Sequence, residues 1–145
     1  MASDAGDLRL VLPPWLAPFE KTGAVFANEV VEGGGQGIQL MAEGPLTADP
    51  QPGLGGSERW LEQRIESPGS GMPVRSKVQL PGGAAVRMER VDRAGTPLAW
   101  RFDAYAIETP AGTAYLVIDG PPDAWVGHED DLARIPLLLR TSPGP

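Results

Sequence analysis

Residues 98–120 read "LAWRFDAYAIETPAGTAYLVIDG". Two runs rich in aromatic and β-branched residues flank "PAG", a turn too short for anything but a hairpin. Both runs are apolar on both faces: Trp100 and Phe102 oppose Tyr105 and Ile107, while Tyr115 and Val117 oppose Leu116 and Ile118. Alternate residues of a strand point to opposite sides, so a strand apolar on both sides must be covered on both sides. The hairpin therefore predicts an antiparallel sheet with helical material on each face, at least in part.

Working backwards, "VRSKVQL" (74–80) and "AAVRMERV" (84–91) are further strands, joined through "PGG" and followed by "DRAGTP". Links this short make consecutive strands pair antiparallel. The alternation of "AAVRMERV" is imperfect and suggests a bulge. Near the start, "LRLVLPP" (8–14) reads as a short strand ended by prolines. The runs "AVFANEVVE" (24–32) and "GIQLMAEG" (37–44) form a second hairpin, with Ile38, Leu40 and Ala42 opposite Gln39, Met41 and Glu43.

Between the two halves runs "PLTADPQPGLGG" (45–56), a long crossover leading to a helix over 57–66. Ser57 can cap that helix, Glu58 suits its first turn, and Trp60, Leu61 and Ile65 give an apolar stripe. A final helix is expected in "GHEDDLARIPLLLRT" (127–141), where Glu129, Asp130 and Asp131 crowd the positive end of the helix dipole. His128 stands as its cap, and Pro136 should kink or divide it. The fold class expected is α+β: one antiparallel sheet of about six or seven strands with helices packed on its faces, an α/β/α sandwich. Residues 8–141 make the single domain, with tails at 1–7 and 142–145.

Composition excludes several functions. The 145 residues contain no cysteine, which removes disulfides, thiolate metal sites and cysteine nucleophiles together. A formal charge of −7 argues against nucleic acid, which needs a basic face. The N-terminal residues lack both a basic start and a long apolar run, so a cytoplasmic protein without a membrane span is expected, or an extracytoplasmic one from which a signal segment has been removed.

The candidate chemical motifs are incomplete. "PGLGGSER" has no lysine for a phosphate loop, and its glycines lack the spacing and the preceding strand of a dinucleotide loop. The single histidine sits in "HEDD", whose consecutive residues leave a helix in different directions and cannot all hold one metal. There is no G-x-S-x-G elbow. Asp103 with Glu108 or Asp119 could meet as paired carboxylates, although a polar sheet face is the simpler account. Arg87, Glu89 and Arg90 with Arg101 and Asp103 are placed for cross-strand ion pairs. No catalytic residue, metal ligand or cofactor is assigned, and the residues lean away from an enzyme.

Aromatic residues are the remaining candidates. Trp15 in "PPWLAPF" and Trp125 in "PPDAW" are framed by prolines and expected on rim loops. With Phe19, Trp60 and Trp100 they either plug the ends of the sheet or form a contact surface for a protein or an apolar ligand. A second arrangement is a cavity between sheet and helix lined by Trp100, Phe102, Tyr105 and Tyr115, which would hold a small molecule.

Several words of this sequence resemble the PsbP-like fold family, which includes Mog, PsbP, LpqN-type and DcrB-like bacterial proteins. They are "LPPWL", "FANEVVEGGGQGIQLMAEGPL", "LPGGAAVRMERV" and "RAGTPLAWRFDAYAIETPAGTAYLVIDGPPD", in this order and spanning about 8–140. The resemblance implies an antiparallel sheet between helices and a non-enzymatic role as adaptor, chaperone or assembly factor for another protein. It carries over no site residue. The alternatives are a small-molecule binding protein or atypical enzyme with an aromatic-lined cavity, and a structural subunit of a larger assembly.

Overall fold

The fold is that of a computed structural model, which describes residues 8–21, 24–29, 31, 37–46, 74–93, 95–109 and 112–141. Its strands are β1 (Leu8–Arg9), β2 (Leu16–Lys21), β3 (Ala24–Glu29), β4 (Gln39–Leu46), β5 (Val74–Leu80), β6 (Gly83–Asp92), β7 (Trp100–Thr109), β8 (Gly112–Gly120) and β9 (Arg140–Thr141). Two helices follow β8: α1 (Pro122–Trp125) and α2 (Glu129–Leu138). Seven strands form one antiparallel sheet in the order β2-β3-β4-β8-β7-β6-β5, and β1 pairs with β9 in a separate two-stranded ribbon. None of the described helices is long and apolar enough to cross a membrane. The expected helix over 57–66 and the glycine-rich crossover lie outside the described residues.

The β7–β8 hairpin lies inside the sheet, flanked by β4 and β6. One face carries Leu40, Ala42, Ala85, Tyr105, Ile107, Leu116 and Ile118, in a single buried cluster with Trp125 of α1 and Leu132 and Ile135 of α2. The other face carries a second cluster of Met88, Ala104, Ala106, Tyr115 and Val117, which contains no helical residue among those described. A fully buried Leu, Ile or Phe contributes about 1.5–3 kcal/mol, so the first cluster is the main source of stability.

Three local expectations are corrected. β2 was not anticipated, because Pro13, Pro14 and Pro18 read as loop. It is a sheet edge, the one place where a strand tolerates proline's missing N–H. The first strand is shorter than expected, Leu8–Arg9, and pairs with β9 rather than with the main sheet. β6 pairs without interruption along β5 and β7, and the register shift occurs instead on β4, between Glu43 and Leu46 opposite β8.

The last helix is continuous through Pro136. Proline removes the bond to the carbonyl of Leu132, but the helix ends two residues later, so little of it depends on that bond. Arg140 then closes the end, its Nη1 donating to the carbonyls of Leu137 (2.9 Å) and Leu139 (2.8 Å). At the β5–β6 turn Gly83 has φ +149°, and a Cβ there would collide with the carbonyl of Glu108. Only glycine lets β7 approach that closely.

Candidate functional site

Alternation on β6 and β7 places Arg87, Glu89, Arg101, Asp103 and Tyr105 on the face that meets α2. Arg87 lies opposite Tyr105 and Glu89 opposite Asp103, so Arg87 reaches Asp103 diagonally. The contact is a two-pronged one: Arg87 Nε donates to Oδ1 at 2.9 Å and Nη2 to Oδ2 at 3.1 Å. Tyr105 Oη adds a third donor to Oδ2 at 3.3 Å. Asp103 needs all three, since its side chain is only 8% exposed and a buried carboxylate without donors is costly.

This clamp fixes charges. Asp103 pushes the Arg87 guanidinium still further above its already high value, chiefly through the hydrogen bond, and burial lowers it only in part. Burial, followed by the charge of Asp103, raises the Tyr105 phenol well above its usual range. Tyr105 therefore stays a neutral donor at any ordinary pH. Glu89 takes the outer side of Arg87 at 3.0 Å.

A cleft of about 240 Å³ opens beside the clamp, between β5–β7 and α2. Arg87, Arg101, Asp103, Tyr105 and Glu129 make its polar end; Val78, Leu80, Leu132, Ala133, Pro136 and Leu137 make its apolar wall. At the junction Arg101 lies 4.1 Å above the ring centre of Trp125 and pairs with Glu129 at 3.1 Å. Trp125 is 3% exposed, and its indole N–H has no acceptor among the described residues. The arginine lies over its face instead, a cation–π contact worth about 0.5–2 kcal/mol.

The other candidate aromatics are dispersed. Trp15 is half-buried, stacks on His128 with ring centres 3.8 Å apart, and donates from Nε1 to Asp131 at 2.9 Å. His128 occupies the cap position of α2 without capping it through its side chain; its Nε2 lies 3.2 Å from Glu29 Oε2. Within "HEDD" the side chains go to different tasks: His128 and Asp131 both meet Trp15, His128 also reaches Glu29, and Glu129 turns away to Arg101. Among the described residues no group of three or more such side chains converges on a metal position. Phe19 is exposed on the edge strand β2 and stacks on Phe26 at 5.4 Å. Trp60 lies outside the described residues.

Trp100, Phe102, Tyr105 and Tyr115 line no common cavity. Tyr105 is on the α2 face, while Phe102 and the fully buried Tyr115 belong to the cluster of the opposite face. The two arrangements differ by a single residue step along β7. The same alternation separates the carboxylates: Asp103 faces α2, and Asp119, paired in register with Phe102, does not. Glu108 instead accepts a hydrogen bond from Thr113 at 3.1 Å.

The cleft residues Arg87, Arg101 and Asp103 were legible only as ion-pairing partners. What marks them as a site is the wall supplied by α2, a tertiary fact with no local signal. No family model matches the chain, and no curated protein matches it.

Proposed function

We propose that this chain is a non-enzymatic, protein-binding adaptor, chaperone or assembly factor of PsbP-like fold, and that it holds its partner in the cleft between β5–β7 and α2. The occupant is an extended segment of another protein. The carrying observation is the pairing of two features: a half-open apolar cleft, and β5 beside it as the last strand in the order of the described sheet. An edge strand offers backbone groups to an added strand, and a neighbouring apolar pocket gives such binding its side-chain specificity. Leu137, 46% exposed on the cleft wall, and the exposed Val74 on β5 supply apolar surface for it.

The state of the polar groups supports binding over chemistry. Arg87, Asp103 and Tyr105 are hydrogen-bonded to one another, and Arg101 is paired with Glu129. A set so engaged makes a fixed recognition end, since its donors and acceptors are already oriented. The α/β/α sandwich belongs to the same proposal. Tyr115, Ala104, Ala106 and Met88 are fully buried on the face turned away from α2, which is what a second covering layer produces.

The test is photo-crosslinking in the native host, with a benzophenone amino acid at Ala133 or Leu137 and, as control, at the exposed Leu98. One protein joined from both cleft positions, absent from Leu98 and lost from Ala133 when Leu137→Asp is added, supports the reading. A small molecule in place of a protein, or equal capture from Leu98, overturns it.

A further inference from the structure

The sheet has a second cleft, on the face turned away from α2, and its lining follows from register. Asn28 pairs with Gln39 and Gln39 with Asp119, so three polar side chains lie side by side on β3, β4 and β8. One step along on the same face, Phe26 pairs with Met41 and Met41 with Val117, giving an apolar row beside the polar one. The two rows frame a half-open cleft of about 250 Å³. That is about eight times the volume a water molecule occupies in the liquid, roughly 30 Å³, room for one ring with a short arm.

Asp119 is the charged group of this cleft. The Trp100 indole N–H hydrogen-bonds its carboxylate, but burial dominates and pushes the acid up to about 6. It is therefore mostly ionised at neutral pH, and among the described residues no cationic side chain offsets its burial. On the neighbouring strands this face carries Glu43 of β4 and Glu108 of β7, both acids, and Tyr115 stands on β8 itself. On β6, Arg90 is bound to Asp92 at 2.8 Å and lies 5.1 Å over the Phe102 ring. Arg75 and Lys77 are on β5, at the far edge of the sheet. At the opposite side Phe26 is held by its stack on Phe19.

We propose that this cleft binds a small organic cation, a protonated amine carrying a short apolar body. Asp119 accepts from the ammonium group, and the side-chain carbonyls of Asn28 and Gln39 accept its remaining N–H bonds. Phe26, Met41 and Val117 pack the body, an aromatic ring and a thioether being favourable neighbours for a cation. A bare divalent metal is disfavoured, because it needs several oxygen anions and the cleft supplies one. An anionic ligand would meet an unneutralised carboxylate.

The experiment uses the full chain and 2-phenylethylammonium chloride, followed by calorimetry and by amide shifts in NMR at pH 7.5. Saturable binding is expected, with shifts on β3, β4 and β8 and none on α2. The neutral isostere 2-phenylethanol should bind at least tenfold more weakly. Between pH 7.5 and 5 the amine's Kd should rise roughly tenfold as protons compete for Asp119. Asp119→Asn should abolish the preference for the amine while binding the alcohol as before, and the same spectra establish that it is folded. Equal affinity for amine and alcohol, amine binding unchanged in Asp119→Asn, or no saturable binding at pH 7.5 overturns the proposal. Leu137→Asp, which breaks the other cleft, should leave amine binding intact.

Discussion

Asp103 and Asp119 stand on adjacent central strands, on opposite faces of one sheet, and both are largely out of water. Asp103 has an arginine fork and a phenol on its oxygens. Asp119 has one indole N–H, and burial raises it to about 6. The difference lies in what the neighbouring strand places beside each: β6 brings Arg87 next to Asp103, while β4 brings a neutral amide, Gln39, next to Asp119. Depth alone does not decide whether a carboxylate is a fixed structural charge or one available to a ligand. Its cross-strand partner does.

Removing the partner of the clamped acid should have the largest effect. Arg87→Ala leaves Asp103 beneath α2 with one weak donor, and a loss of about 3 kcal/mol is expected, read as a lower urea midpoint at pH 7. Adding Asp103→Asn should restore part of it, because the stranded charge is gone. No recovery in the double variant would mean that Arg87 acts through packing.

Asp119 should show the opposite dependence. Its folded value lies above the unfolded one, near 4, so folding takes up a proton between about pH 4 and 6 and this group's contribution falls as pH rises through that window. Asp119→Asn should therefore be more stable than the parent above pH 6, on the order of 1–2 kcal/mol, with the gap closing near pH 4. Thermal melts across pH 4–8 check the sign.

Tyr105→Phe takes one long, weak hydrogen bond (3.3 Å) from Asp103 and should cost about 1 kcal/mol, sharpening the share held by Arg87. Smallest is Leu137→Asp on the cleft wall. A solvent-facing substitution should stay within about 0.5 kcal/mol while weakening the partner more than tenfold, so a melting curve and a capture assay should disagree.

Much of the sheet was legible in the sequence because alternation and short turns are local signals. "LAWRFDAYAIET" and "TAYLVIDG" announce strands buried on both faces, and the β3–β4 hairpin follows from its glycines. β2 was hidden because proline at an edge strand and proline in a loop look alike. The helix α1 was hidden because four residues carry no period. The site was less legible still. Trp100, Phe102, Tyr105 and Tyr115 are all large aromatics, and only the parity of their positions separates a shared pocket from two faces. Which residue of β8 stands beside Tyr105 is a matter of register, settled as Leu116. The row Asn28, Gln39 and Asp119 spans 91 positions of sequence and exists only through two registers.

The pairing of β1 with β9 bears on how the protein is made. Leu8 meets Thr141 and Arg9 meets Arg140, so the first described strand has no partner until the last one has been synthesised. β4, already paired with β3, waits for β8 as its second neighbour. A ribosome adding roughly 5–20 residues each second would leave β1 unpaired and the β2–β3–β4 unit without its β8 neighbour for seconds, with Val25, Ala27 and Leu40 uncovered meanwhile. Closure of the sheet is thus a late event in synthesis, and the partly made chain, rather than the finished one, is the form most in need of protection from aggregation.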